Sequence, residues 1–240
     1  MKNVPNFITS LNLAAGFVAI IYALNGDLLT GSWLILAAMI FDFLDGFSAR
    51  LFKAYTVLGK ELDSLADIVS FGVAPAILIY QLLGTSLSLS APMISNADGF
   101  LQIMILLSPV IMPVCADLRL AKFNTDETQA ILFKGLPTPA NALAVISVVI
   151  ALNYSDSGLI TYLTGSTTAI LIFTAVLSFL MVTRIPMLSL KFTNLKFKGN
   201  EGLYILVAMV IAALIVYGAG AAPIIILLYI IVSLISLLFR

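Results

Sequence analysis

Four aspartates stand in two short stretches of an otherwise apolar chain: Asp42 and Asp45 in GSWLILAAMIFDFLDGFSARLFK, Asp63 and Asp67 in KELDSLAD. If the first stretch is helical, about 100° per residue puts Asp45 and Ala49 within about 60° of Asp42, with Gly46 about 40° away on the other flank. The i, i+4 spacing of Asp63 and Asp67 puts both on one face of a second helix. The turn between the stretches is short, so the two helices are expected to run antiparallel and pack side by side, with all four carboxylates converging. Left bare, such a cluster repels itself and takes up protons; two divalent cations would bring four positive charges against four negative ones. All-oxygen ligation suits Mg²⁺ or Mn²⁺.

The residues around the aspartates suit a ligand that carries phosphate. Gly46, Ala49 and Gly59 remove side-chain bulk, so a large group can approach backbone, and Arg50 offers a fork of donors for phosphate oxygens. Any one of these small residues alone reads as ordinary close packing between membrane helices. Beside four aspartates, the set reads as a site. The chain has no histidine and one cysteine, Cys115, so its chemistry rests on carboxylates, hydroxyls, lysine and arginine, and no internal disulfide forms.

The elements that carry these residues are membrane helices. Of 240 residues 61% are hydrophobic and 10% charged, and the mean hydropathy is +1.13, a composition that a water-soluble domain does not carry on its surface. Apolar stretches of roughly 17–25 residues, enough to cross the hydrocarbon layer, recur along the chain. The pattern predicts an all-α, polytopic helical bundle of about eight transmembrane helices, near 8–24, 32–53, 60–83, 100–122, 138–154, 165–184, 202–218 and 222–239. Breakers separate them: Asn25-Gly26-Asp27, the Ser/Pro/Asn-rich stretch 84–99, Asn153 to Gly158, and Gly218 to Pro223. The first stretch lacks a small-residue cleavage site and reads as a retained helix. The whole of 1–240 reads as one integral membrane domain.

With eight spans, all twelve lysines and arginines fall on one side, and the opposite loops hold Asp27, Asp98 and Asp156 with no basic residue. The positive-inside rule then puts both termini, the basic loops and the aspartate cluster on the cytoplasmic side. The expected setting is the cell membrane of a prokaryote. Lys191, Lys196 and Lys198 read as orientation determinants and anionic-lipid contacts.

The spacing Asp42-x2-Asp45-Gly46-x2-Ala49-Arg50-x8-Gly59-x3-Asp63-x3-Asp67 resembles, without a departure, the motif of the CDP-alcohol phosphotransferase family, with eight specified positions over 26 residues. That resemblance implies a dinuclear metal centre on Asp42, Asp45 and Asp63, with Asp67 a ligand, the base, or both. It also implies a CDP-lipid pocket lined by Gly46, Ala49, Arg50 and Gly59. Pro5-Asn6-x2-Thr9-x2-Asn12 is similar to the family's opening segment and adds Asn6, Thr9 and Asn12 to that pocket. Residues 63–75, CADLRLAKFN (115–124) and FKGLPTPA (133–140) resemble the phosphatidylserine synthase branch. The likeness covers about residues 3–141; the core region is taken as about 3–184, with two extra C-terminal helices over about 202–239. Lys122 is a mild departure, standing where arginine is as common.

The resemblance implies an enzyme that moves the phosphatidyl group of CDP-diacylglycerol to serine and releases CMP by direct displacement. Its partners would be CDP-diacylglycerol, L-serine, membrane lipids and a second copy of the chain, with no nucleic acid. Arg119, Lys122 and Asn124 are candidates for the acceptor, since a guanidinium suits its carboxylate, although basic residues at a helix end also snorkel to the headgroups. The nearest alternatives are sister enzymes using glycerol 3-phosphate, inositol phosphate or an archaeal CDP-lipid. A cation transporter is the alternative from another class, because acidic residues in membrane helices mark ion paths; the absence of paired inverted halves speaks against it.

Overall fold

A computed structural model describes residues 3–125, 135–154, 158–185 and 201–238. Among them every regular element is helical. Helix α1 (Val4–Leu24) starts earlier than expected, because Pro5 sits in the first turn, where its missing N–H and fixed φ are tolerated. The early start puts Asn6, Thr9 and Asn12 on helical backbone at intervals of three. Helix α2 (Leu28–Leu51) opens on the Asp27 cap, whose side chain accepts from the Thr30 amide at 2.9 Å; that bond holds the exposed Asp27 carboxyl below its ordinary range.

Helix α3 runs through Val57–Ser86 as one rod, but its middle, Ile68–Val73, is π-helical. The wider turn begins directly after Asp67, and π segments often mark functional sites. Two hydrogen bonds tie it to neighbouring helices: its own Ser70 Oγ donates to the Asn12 carbonyl at 3.0 Å, and Asn141 Nδ2 donates to the Phe71 carbonyl at 3.4 Å. Helix α4 (Phe100–Thr125) carries a single 3₁₀ turn at Ser108–Val110, where Pro109 interrupts the ladder. The remaining helices are α5 (Thr138–Tyr154), α6 (Gly158–Gly165), α7 (Thr167–Val182), α8 (Glu201–Tyr217) and α9 (Ala222–Leu238). Helix α6 occupies part of what the sequence reads as a loop.

Helices α1 to α4 are each long and apolar enough to cross a membrane, and this is an integral membrane protein. The other four expected spans are 16 or 17 residues long. Large apolar side chains cover the outside, among them Phe7, Phe43, Phe100 and Ile215, a surface that lipid solvates. Helix α5 is the most enclosed, with Ala142, Ala144, Val145, Ile146 and Val149 fully buried. It packs against α2, α3, α7 and α9. Close approach of α1 and α3 depends on Gly16, where a Cβ would collide with the backbone and side chain of Ser70.

The packing of α2 and α3 departs from the sequence expectation. The first half of α3 does not lie flush against α2. Helix α1 touches both, and α2 meets α3 mainly from the π segment onward. The space left between the rods is where the site lies. Hydrogen bonds fix which ends share a side: Thr9 to Asp45, Asn12 to Asp67, Asn124 to Ser64, and the Gly135 amide to the Ile185 carbonyl at 2.8 Å. Among the described residues, Arg50, Lys53, Lys60, Arg119, Lys122 and Arg184 all belong to helix ends on this aspartate side. Lys2, Lys134, Lys191, Lys196, Lys198 and Arg240 lie outside the described residues.

Candidate active site

Asp42, Asp63 and Asp67 come together, each offering an oxygen within 4.8 Å of the others. Two come from successive turns of α3 and one from α2. Asp67 is 7% exposed, and Asp63 Oδ1 is buried with no hydrogen-bond partner. Three carboxylates this close, partly out of water and with an oxygen unserved, are relieved either by taking up protons or by a cation between them. The donor set is oxygen alone, which fits a hard divalent ion.

Asp45 stands beside this triad. Its Oδ2 accepts from the Thr9 hydroxyl at 2.6 Å, and Asp45 is 6% exposed. Asn12, fully buried, donates from Nδ2 to Asp67 Oδ1 at 3.3 Å. Helix α1 therefore holds two of the four carboxylates by neutral donors, which orient an anion without cancelling its charge.

Two cavities open around the acids. The first, about 660 Å³, lies between α1, α2 and the start of α3 and is lined by Asn6, Thr9, Asp45, Gly46, Ala49, Gly59, Lys60, Glu61 and Asp63, among others. A Cβ at Gly59 would come within 3.0 Å of Asn6 Oδ1, so the glycine keeps this wall open. Arg50 and Asn12 do not line it. The exposed Arg50 folds back, its Nε donating to the Gly46 carbonyl at 3.0 Å, and Asn12 lies behind Asp67.

The second cavity, about 490 Å³, is walled by α2, α3, α4, α5 and α9, with Asp42, Lys60, Asp63, Ser64, Asp67, Arg119, Phe123, Asn124, Thr138 and Tyr229 among its residues. Asp63 and Lys60 belong to both cavities. Arg119 is 8% exposed, its guanidinium 6.0 Å from the Phe123 ring centroid, and its Nε is buried without a partner. The buried Thr138 hydroxyl is likewise unserved. A polar ligand carrying an acceptor group would satisfy both. Asn124 Nδ2 donates to Ser64 Oγ at 2.8 Å, and Lys60 Nζ donates to the Asn124 carbonyl at 3.1 Å, joining the end of α4 to the start of α3. Lys122 is exposed and lines neither cavity.

The profile of the CDP-alcohol phosphatidyltransferases matches residues 2–239. The chain belongs to this family. An archaetidylserine synthase from Methanothermobacter thermautotrophicus is 37% identical over 154 residues, which is 63% of this chain and 60% of that protein. Mycobacterium leprae has a CDP-diacylglycerol–serine O-phosphatidyltransferase 36% identical over 195 residues, 78% of this chain and 58% of that one. The enzyme of that name in Helicobacter pylori is 31% identical over 238 residues, 98% of this chain and 91% of its own length. This CDP-alcohol phosphatidyltransferase chain thus spans about 60% of the first two relatives and nearly all of the third.

Sequence reasoning did not single out Lys60, Ser64, Thr138 or Tyr229 in this family member. Lys60 and Ser64 are spaced i, i+4 within the motif's unspecified positions, so helical periodicity was an available signal. Thr138 lies within the stretch FKGLPTPA, although spacing gave it no role. For Tyr229, 162 residues after Asp67 in an apolar helix, the sequence holds no signal.

Proposed function

We propose that this chain transfers the phosphatidyl group of CDP-diacylglycerol to the hydroxyl of L-serine and releases CMP. The observation that carries the reading is the pair of cavities meeting at Asp63 beside an acidic triad. The Helicobacter relative, named for this reaction and aligned over 98% of the chain, supports serine as the acceptor. The segregation of basic residues supports eight spans, with both termini and the site in the cytoplasm.

The nucleotide end of the lipid occupies the first cavity, where Asn6, Thr9, Gly46, Ala49 and Gly59 leave room for a cytidine diphosphate head while the acyl chains stay in the bilayer. Serine occupies the second, its carboxylate against Arg119. Asp42, Asp63 and Asp67 would hold one divalent ion, and Asp45 with Asp63 a second, Mg²⁺ or Mn²⁺ in either case. Bound there, the ions supply the positive charge that offsets the diphosphate and the departing CMP.

Asp67 lines the serine cavity and not the nucleotide cavity. It takes the hydroxyl proton as the serine oxygen bonds to the β-phosphorus and the bond from that phosphorus to CMP breaks. Asn12 orients the carboxylate for this task from the side away from the ligand. With no histidine in the chain, direct displacement is favoured over a covalent phosphoenzyme.

The test is CMP release from purified protein given CDP-diacylglycerol, serine and either Mg²⁺ or Mn²⁺, with glycerol 3-phosphate and inositol phosphate as competing acceptors. Asp67→Asn is expected to lower kcat by roughly 10²–10⁴-fold while the protein still binds CDP. Wild-type turnover in that variant removes Asp67 from the base role. The archaeal relative at 37% identity supports a second reading, the same transfer from an archaeal CDP-lipid; offering both lipids to the enzyme separates the two.

A further inference from the structure

We propose that Lys60 holds the non-bridging oxygens of the transferring phosphate at the junction of the two cavities. The proposal rests on the transferase reading above and adds a residue to it. Among the described residues, Lys60 is the only lysine or arginine lining the nucleotide cavity, and it also lines the serine cavity. Asp63 is the other residue that belongs to both. The phosphorus has to pass from a nucleotide on one side to an alcohol on the other, so the residues common to both cavities flank its path.

The plainer explanation is structural. The Asn124 carbonyl is one of the last in α4, a group with no partner inside its own helix. Lys60 Nζ serves it at 3.1 Å, and a lysine that only tied α4 to α3 would look the same. Two features go beyond a tie. The tie uses one of three N–H donors on the ammonium. Asn124 also bonds Ser64 through its own side chain at 2.8 Å, so the two helices remain joined there without Lys60.

Charge argues in the same direction. Apart from the ions that the aspartates would hold, the one basic side chain among the described residues of the nucleotide cavity is Lys60, beside Asp45, Glu61 and Asp63, and a diphosphate entering it adds further negative charge. As the serine oxygen bonds to phosphorus and CMP departs with the electron pair of the broken P–O bond, negative charge spreads over the phosphoryl oxygens. An ammonium on a flexible stem can follow those oxygens from the nucleotide side to the serine side. The serine proton still goes to Asp67, and Lys60 gives up none.

The experiment compares K60A and K60R with wild-type protein, full length in detergent, in the CMP-release assay, with thermal melting recorded for each. K60A is expected to lose roughly 10²-fold in kcat, with little change in the serine KM and a melting temperature close to wild type. K60R, which keeps the charge, is expected to retain most of the turnover. Added n-propylamine is expected to restore part of the K60A rate, and n-butanol none, because the amine returns a cation without returning the tie to α4.

Wild-type kcat in K60A would overturn the proposal. So would a kcat loss in K60A that follows a drop in melting temperature and is untouched by propylamine, since that is the behaviour of a tie. A wild-type enzyme that releases no CMP with any alcohol brings down the transferase reading and this proposal together. An active wild type with an equally active K60A brings down the Lys60 assignment alone.

Discussion

The two cavities are built in different ways. The cavity proposed for the nucleotide is made by one continuous stretch, residues 5 to 63, in which α1, α2 and the start of α3 follow each other through short turns. The cavity proposed for serine takes residues from 39 to 229 and from five helices. The first is lined by small residues and neutral hydroxyl or amide groups around a few charges. The second holds a buried guanidinium and an unserved hydroxyl against an apolar wall. A cavity folded from neighbouring elements keeps its shape with little help from the rest of the chain, which suits the feature common to all reactions of the family, the CDP head. A cavity assembled from distant elements can be altered one wall at a time, which suits the feature that differs, the alcohol.

Asp63 belongs to both cavities, so its replacement gives the largest effect. Asp63→Asn is expected to lower kcat by roughly 10²–10³-fold or more with every acceptor. It also removes one of three crowded carboxylates, so melting temperature in EDTA is expected to rise above that of wild type, and stabilisation by added Mg²⁺ or Mn²⁺ to shrink. Thermal melts with and without metal check both statements. A variant that still gains full stability from Mg²⁺ would show that the ion is held elsewhere.

Arg119 belongs to the serine cavity alone, and its replacement should touch one side of the comparison only. Arg119→Lys keeps a charge but loses the planar fork that meets a carboxylate with two bonds. The expected result is a serine KM raised about tenfold, in line with one lost charge-assisted bond, with the KM for CDP-diacylglycerol unchanged. If the CDP-lipid KM moves and the serine KM does not, the assignment of the two cavities is reversed. Alanine is a poorer test, because emptying a buried, stacked position disturbs packing as well as charge.

Legibility in the sequence follows the same division. The aspartates, Gly46, Ala49 and Gly59 were readable because helical periodicity and a short turn bring them to one region. So were all eight expected helix positions, 165–184 appearing as α7 (Thr167–Val182); only the short α6 in front of it was not expected. The π segment after Asp67 was not readable, since nothing in IVSFGV departs from an apolar α-helical run; the side chain that donates to its Phe71 carbonyl, Asn141, lies 70 residues away. Nor was the gap between α2 and α3, which exists because α1 stands against both. Tyr229 and Thr138 reach the serine cavity through tertiary packing, for which a single sequence has no period to read. Arg50 shows the reverse case: its spacing pointed to the nucleotide cavity, while a local bond to the Gly46 carbonyl keeps it on its own helix.

The turn that sets α3 against α2 gives the smallest effect and the finest test of how the nucleotide cavity is held. Helix α2 ends in a Schellman arrangement: the Ala54 amide donates to the Ala49 carbonyl at 2.9 Å and the Lys53 amide to the Arg50 carbonyl at 3.3 Å. The residue in the left-handed position is Lys53, with φ of +49°, where glycine is the usual occupant. A side chain there costs roughly 1–2 kcal/mol, partly offset because glycine loses more freedom on folding, about 0.5–1 kcal/mol. Lys53→Gly is therefore expected to stabilise the fold by about 0.5–1 kcal/mol, read as a small rise in melting temperature. Since Lys53 lines neither cavity, both KM values and kcat should stay at wild type. A drop in turnover with unchanged stability would mean that the Lys53 charge, and not the turn, serves the nucleotide side.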